Sequence, residues 1–454
     1  MKLRLTVFAA ALLAAGAVSA QPYDTYREIY SRSELASGVH TMYPTDQPAP
    51  RSAPAGYKPF YISHIGRHGA RYPLGETVYE DILEVFTDAA ARGLLTAKGE
   101  EFLKVYSEFY PLVAHREGEL TFKGQEQHRY IVRRMYRDYP GVFEGPTRAC
   151  AVATHIHRVI ASMYSFLGEA RELDPDFTYT ADYGISYLPV LLPSASECPG
   201  FEPLGPFPED VLKMYGEYCG KLVDVPGILG LWFKETESLG VEPYDLLADL
   251  NTVYSTFTNL DAEVPGALWA MFSFDDRYRL WEYDNCRWYL MFGRAPGVKN
   301  YTSYMGSVVG DVIGKASSDW QEGIALRLRF THDSTIASLL TYLDVDGMGA
   351  EVSDPGQVRD YWRNFEIPMA ANLQFVFFRR GDGPAGDGMA VDGSVNGSLA
   401  GDGMAVDGSA NGSLAGDADV LLQVLHNGFE ATLPLPEASS GFYRWSDFVD
   451  RYSR

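Results

Sequence analysis

The chain has 454 residues, 60 of them acidic and 38 basic, for a formal net charge of −22. That balance argues against nucleic acid or an anionic membrane as the main partner, so an anionic ligand needs a local basic pocket. The length is enough to bury a large core, and four cysteines, Cys150, Cys198, Cys219 and Cys286, are too few and too scattered for a disulfide scaffold or a zinc motif.

Residues 1–20 set Lys2 and Arg4 before an apolar stretch and end in small residues ahead of Gln21, the pattern of a cleaved secretory signal. No later apolar run reaches the roughly 20 residues that span a bilayer. A periplasmic or secreted protein without a membrane anchor is therefore expected. An oxidising compartment permits up to two disulfides, and spacing does not choose among the three full pairings.

Residues 21–56 are polar and rich in turn formers, and predict an N-terminal arm lying on the surface. The short apolar and aromatic run 57–65 predicts a buried strand, broken at Gly66 and followed by a helix over 76–92. Thr96 and Thr121 are placed to cap helices through 110 and about 139, the second stopped by Pro140-Gly141. A strand at 148–154 feeds a helix at 156–167. From 173 to 322, Pro-rich connections separate amphipathic stretches at 210–222, 243–257 and 276–292 with little strand signal, which predicts a helical cap insertion.

Strand character returns at 325–330, ahead of Thr331-His332-Asp333 and a helix over 334–343, and again at 372–378 and 420–425. Between the last two strands, 386–400 recurs almost unchanged as 401–415. Its Gly, Asp, Ser and Ala content predicts a flexible loop over 381–418, and its spacing matches neither an EF-hand nor a calcium nonapeptide. The expected fold class is α/β: a mainly parallel sheet flanked by helices, built from 57–172 and 323–454, with the helical cap domain 173–322 inserted.

The densest chemistry lies in Arg67-His68-Gly69-Ala70-Arg71-Tyr72-Pro73, at the carboxyl end of a predicted strand, where ligand crevices of α/β sheets open. Two arginines flanking one imidazole form a fork suited to phosphate oxygens. Glycine after the histidine lets the backbone approach a ligand closely. An exposed basic turn around a satisfied histidine is the plain alternative.

Arg67-His68-Gly69-x-Arg71-x-Pro73 resembles the opening motif of the histidine acid phosphatases, the branch of the phosphoglycerate-mutase-like superfamily that includes phytases and multiple inositol polyphosphate phosphatases. Leu120-Thr121 with Gly124-Gln125 is similar to a further family stretch, Thr154 with Arg158 and Ser162 to its second phosphate-binding segment, and His332-Asp333 to its His-Asp pair. The resemblance runs in order along most of the chain. It implies a phosphomonoester hydrolase with His68 as nucleophile, Arg67, Arg71, Arg158 and His332 as phosphate ligands, and Asp333 as the acid that protonates the leaving oxygen. No metal or organic cofactor is implied, the partner is a small-molecule phosphomonoester, and a monomer or small homo-oligomer is expected.

Four positions depart from the family pattern. His155 and His157 stand where acidic residues are common, Asp333 follows His332 directly where inositol polyphosphate phosphatases carry His-Ala-Glu, and Thr335 replaces an asparagine of many phytases. An inositol polyphosphate leads as substrate, with a sugar phosphate or broad specificity as the alternative.

Phosphoryl transfer asks for an unprotonated imidazole, which three guanidiniums favour by disfavouring its cation, and for a protonated carboxyl, which a bound phosphate favours. A metal hydrolase built on His64, His68, His155 and His157 is the competing enzyme reading, opposed by the arginines that would repel a cation. A catalytically silent phosphate-binding surface module is the competing reading from another class. Singly, His64 is expected to pack behind the site, His155 and His157 to sit on a helix surface, and Arg129, Arg133 and Arg137 to form a solvated helix face.

Overall fold

A computed structural model describes residues 22–381 and 419–453. The signal expected at 1–20 and the repeat at 386–415 lie outside the described residues. Strands β1 Tyr57–Arg67, β2 Arg148–Ala153, β3 Thr178–Tyr183, β4 Leu326–Thr331, β5 Asn372–Arg380, β6 Leu421–His426, β7 Phe429–Glu430, β8 Glu437–Ser439 and β9 Phe442–Arg444 form one sheet. Its order is β3-β2-β4-β1-β5-β6-β9-β8, with β7 paired to β6.

The longer helices are α1 Thr25–Ser31, α2 Val78–Ala91, α3 Ala97–Phe109, α4 Phe122–Asp138 and α5 His157–Leu173, and after a single turn, α6 Leu188–Leu191, α7 Glu209–Cys219. Another turn, α8 Val225–Leu229, precedes α9 Pro243–Thr256, and α10 Gly266–Trp269 precedes α11 Phe274–Phe292 and α12 Met305–Glu322. The chain then forms α13 Asp333–Leu343, the turn α14 Val358–Tyr361 and α15 Trp445–Tyr452.

The half of the sheet that carries the motifs is parallel, as expected: β3, β2, β4 and β1 run together. The chain returns antiparallel through β5 and β6. Strand alternation divides the core between two faces. Leu373, Phe375 and Phe377 pack with Val308, Val312, Leu339 and Leu340 of α12 and α13. Ile62, Val376 and Phe378 pack with Ile131 and Met135 of α4 and Met163 and Phe166 of α5.

A further core lies away from the sheet, mostly between helices. Val78, Ile82 and Phe86 of α2 and Phe102 and Tyr106 of α3 meet Leu229, Trp232, Leu247, Leu250 and Phe257 from the α8–α9 region. The stretch expected as a cap thus shares its apolar centre with helices that precede β2.

The strand β3 and the N-terminal arm differ from the sequence reading. β3 falls where no strand signal stood, because as an edge strand it buries none of its six positions fully, so there is no apolar alternation to read. The N-terminal arm does not merely lie on the surface: α1 and a 3-10 helix, Ser33–His40, bury Ile29, Leu35, Ala36 and Val39. Arg134 holds the chain beyond them, donating to the carbonyls of Gln47 (2.8 Å) and Pro48 (3.0 Å).

All four cysteines are free thiols. Among the described residues, no helix is long and apolar enough to cross a membrane.

Candidate active site

Parallel pairing brings distant motifs to one edge. Arg67 at the end of β1 is in register with Thr331 at the end of β4, and Ala153 at the end of β2 with Phe330. The next residues, His68, His332 and Thr154, therefore leave the sheet side by side. The His68 amide donates to Thr331 O (3.0 Å), the His68 and His332 rings lie 5.7 Å apart at a 74° angle, and Thr154 Oγ1 is 3.0 Å from His332 Nε2.

His68 Nδ1 is 2.9 Å from Gly69 O. A carbonyl only accepts, so Nδ1 carries the proton and Nε2 keeps the lone pair. Arg67 is fully buried, and its Nη1 donates to Val39 O (2.5 Å) and Ile367 O (2.9 Å) while Nη2 pairs with Asp333 Oδ2 (2.7 Å). Arg71 Nη1 donates to Tyr72 O (3.0 Å). In Arg67, Arg71 and Arg158 alike, Nε is buried without a hydrogen-bond partner among the described residues. Three such donors in one place suit a ligand with several acceptor oxygens.

The crowding of cations governs protonation. Burial, then Arg67, Arg158 and Arg71, drive the His68 imidazole well below its usual range, so it is neutral. Burial and then Arg158 push His332 down to about 3. Burial by itself raises the Asp333 carboxyl, but Arg67, Arg71, His332 and the Ser334 amide outweigh it and hold it at about 2. Asp333 also opens α13, where the helix N-terminus favours negative charge. Ligand-free, this carboxyl is ionised.

The loop after His68 is held by α4 and α5. Thr121 caps α4, accepting from the Gly124 amide (3.1 Å), and its hydroxyl donates to Ala70 O (3.0 Å). Gln127 Oε1 accepts from the Ala70 amide (2.7 Å). Ser162 Oγ accepts from the Gly69 amide (3.1 Å) and donates to Arg158 O (2.8 Å), linking the loop to the helix that carries Arg158.

Gly69 serves this packing directly. A Cβ there would fall 2.2 Å from Gly124 O, and one on Gly124 would fall 2.3 Å from Ala70 O.

The remaining histidines separate by burial. His64 is fully enclosed behind the site, with ring centroids 5.8 Å from both Phe166 and Phe330, and neither His64 nor His128 has a ring partner among the described residues. His155 stands 3.8 Å from Glu197 at the start of α5. Arg129, Arg133 and Arg137 pair with Glu126, Glu169 and Asp138, as a solvated helix face does. No group of three or more His, Cys, Asp or Glu is placed to hold a metal among the described residues.

One residue here escapes the motifs. His40, half-buried at the end of the arm's 3-10 helix, follows Val39, whose carbonyl receives Arg67. Burial and then Arg71 and Arg67 lower its imidazole to about 3, against Asp333 and the Ser37 carbonyl, which raise it. Leu35 and Val39, four apart, were the only sequence sign that this stretch is pinned.

No model of a known protein family matches the sequence, and no curated protein does. Solved structures do. The multiple inositol polyphosphate phosphatase of Bifidobacterium longum in complex with phosphate matches at TM-score 0.69 and 16% identity over 92% of this chain and 97% of that one. Its complex with inositol hexasulfate matches at 0.67, again at 16% identity, over 92% and 97%. The phytase from D. castellii matches at 0.62 and 13% identity over 92% and 84%. The chain has the fold of these phosphatases.

Proposed function

We propose that the chain is an exported acid phosphatase that passes the phosphoryl group of a phosphomonoester to His68 and then to water. The observation that carries this reading is the convergence at one sheet edge of an imidazole free at Nε2, three guanidiniums and a carboxylate. Nε2 attacks phosphorus while Arg67, Arg71 and Arg158 hold the oxygens and offset the charge of the transition state. In the tautomer whose Nε2 accepts from Thr154, His332 keeps a proton on Nδ1 for a further phosphate oxygen.

The bond to the leaving oxygen breaks as Asp333 delivers a proton to it. Water then attacks the phosphohistidine, releasing inorganic phosphate and restoring His68. The chemistry asks for no metal or organic cofactor.

An inositol polyphosphate is the proposed substrate, ahead of a sugar phosphate, because a solved protein of this fold holds inositol hexasulfate. Helices from the 173–322 stretch would cap the site, and the segment 1–20 would direct the chain to the periplasm or beyond.

The test is turnover of phytate, glucose 1-phosphate and an aryl phosphate at mildly acid pH, with acid and alkaline quenching. Wild type should trap an alkali-stable, acid-labile phosphoprotein, and His68→Ala should lower turnover by about 10⁴-fold or more. Phosphate binding without turnover of any ester would indicate a silent phosphate-binding module instead.

A further inference from the structure

We propose that Asp261, on the turn that follows α9, is a positioning residue for the catalytic loop: it ties the helical core to the first turn of α4, and through that turn sets where His68 and Arg71 stand. The inference rests on the phosphatase reading above and adds to it a carboxylate 139 residues beyond Phe122, whose amide it holds.

The contact is a grip by both carboxylate oxygens. Asp261 Oδ2 accepts from the Phe122 amide (3.0 Å) and Oδ1 from the Lys123 amide (3.3 Å), the first two amides of α4. Thr121 takes the third, from Gly124 (3.1 Å). The tie is returned from the other side, where Lys123 Nζ donates to Thr258 O (2.9 Å). A helix does not need a distant carboxylate merely to begin, because a local cap or water ordinarily satisfies its first amides. Water has access to this turn, since Phe122 is 69% exposed. The positive end of the helix favours the carboxylate once it is there.

Both ends of the grip are anchored. Behind Asp261, Phe257 and Leu260 are buried in the helical core with Tyr254 and Phe109, and Asn259 is fully buried. The carboxylate thus stands one residue past a side chain that cannot move without disturbing that core. Ahead of it, the start of α4 carries the contacts that hold the catalytic loop. The Thr121 amide and hydroxyl both donate to Ala70 O, at 2.9 and 3.0 Å, and Gln127 Oε1 accepts from the Ala70 amide at 2.7 Å. Gly124 O is the atom that a Cβ on Gly69 would meet at 2.2 Å.

These are backbone contacts at van der Waals limits, so no side-chain rotation can absorb a slide of α4. Ala70 lies between His68 and Arg71, and such a slide carries the nucleophile and a phosphate ligand together. Neither Asp261 nor Lys123 belongs to an apolar core. Removing the carboxylate therefore shifts α4 rather than unfolding it.

The experiment compares Asp261→Ala and Asp261→Asn with wild type on phytate and on an aryl phosphate, with inhibition by inorganic phosphate and the thermal midpoint measured on the same preparations. Asp261→Ala should lower kcat about tenfold on both esters alike, because the displaced groups act on every ester. It should raise the phosphate inhibition constant about threefold or more through Arg71. The midpoint should stay within a few degrees of wild type. Asp261→Asn keeps one acceptor oxygen and should recover part of both losses.

A loss on phytate alone, with the phosphate constant unmoved, would overturn the proposal, because Asp261 would then act on the surroundings of the leaving group and not on the catalytic loop. Unaltered kinetics on both esters would overturn it too, as would losses that vanish when each variant is assayed well below its midpoint, the mark of a purely structural role. A wild type inactive on every ester would refute the phosphatase reading itself. Phosphate affinity would then still test the tie, with weaker binding by Asp261→Ala expected and equal binding overturning it.

Discussion

At the scale of single residues, Asp333 poses the sharpest constraint. A carboxyl held at about 2 by its pairing with Arg67 has no proton to give in the ligand-free site. A phosphate that occupies the arginines weakens their hold on Asp333 and adds its own negative charge, both of which raise the carboxyl. The proton then enters with the substrate as its monoanion. The alkaline limb of kcat/KM should therefore track the second ionisation of the ester, about pH 6 for common phosphomonoesters. Esters with lower second pKa values should shift the limb down, and a limb indifferent to the ester would show that the proton comes from elsewhere. Asp333→Asn should slow an alkyl ester by about 10²-fold or more and an aryl phosphate far less. Equal losses would remove Asp333 from the role of acid.

At the scale of elements, the loop after β1 depends on the start of α4. Gly69 and Gly124 face each other at a separation that admits no methyl group, and Thr121 and Gln127 fix both sides of Ala70. Gly124→Ala should cost about 1–3 kcal/mol by overpacking, since the atom its Cβ meets is backbone and cannot rotate away. Displacing Arg71 and the His68 loop by even about 1 Å should cut kcat/KM by about 10²-fold. Denaturant titration with kinetics on the same variant checks both. Full activity in a destabilised Gly124→Ala would show that the loop tolerates the shift.

At the scale of the whole molecule, the site's neutral imidazoles set a pH window for stability. His64, His128 and His332 are held at about 3, and His68 is pushed well below its usual range, mainly by burial, against about 6.5 in an unfolded chain. Between pH 6.5 and 3 the unfolded chain takes up protons that the folded one refuses. Each such histidine then removes up to about 1.4 kcal/mol of stability per pH unit as the pH falls. Asp249 and Asp284, raised to about 6 by burial first, act in the opposite sense, costing stability as pH rises from about 4 to 6. The histidines outnumber them, so the denaturation midpoint should fall between pH 7 and pH 5. Equal midpoints at the two values would show that the folded protein accommodates these protons.

What the sequence determined by itself is what local chemistry encodes. Thr96 and Thr121 cap the helices they announce, the apolar run at 57–65 lies within β1 and that at 325–330 matches β4 to within one residue, and Arg67-His68 and His332-Asp333 stand at strand ends. The motif residues were legible because each follows a strand whose burial forces an apolar pattern. Tertiary structure alone decided the rest. β3 is an edge strand without alternation, and Gly69 answers to Gly124 across 55 residues. The N-terminal arm is pinned to the site because Arg67 reaches back 28 residues to the Val39 carbonyl. Such contacts depend on which surfaces the parallel register of β2, β4 and β1 brings together, and no local spacing carries that information.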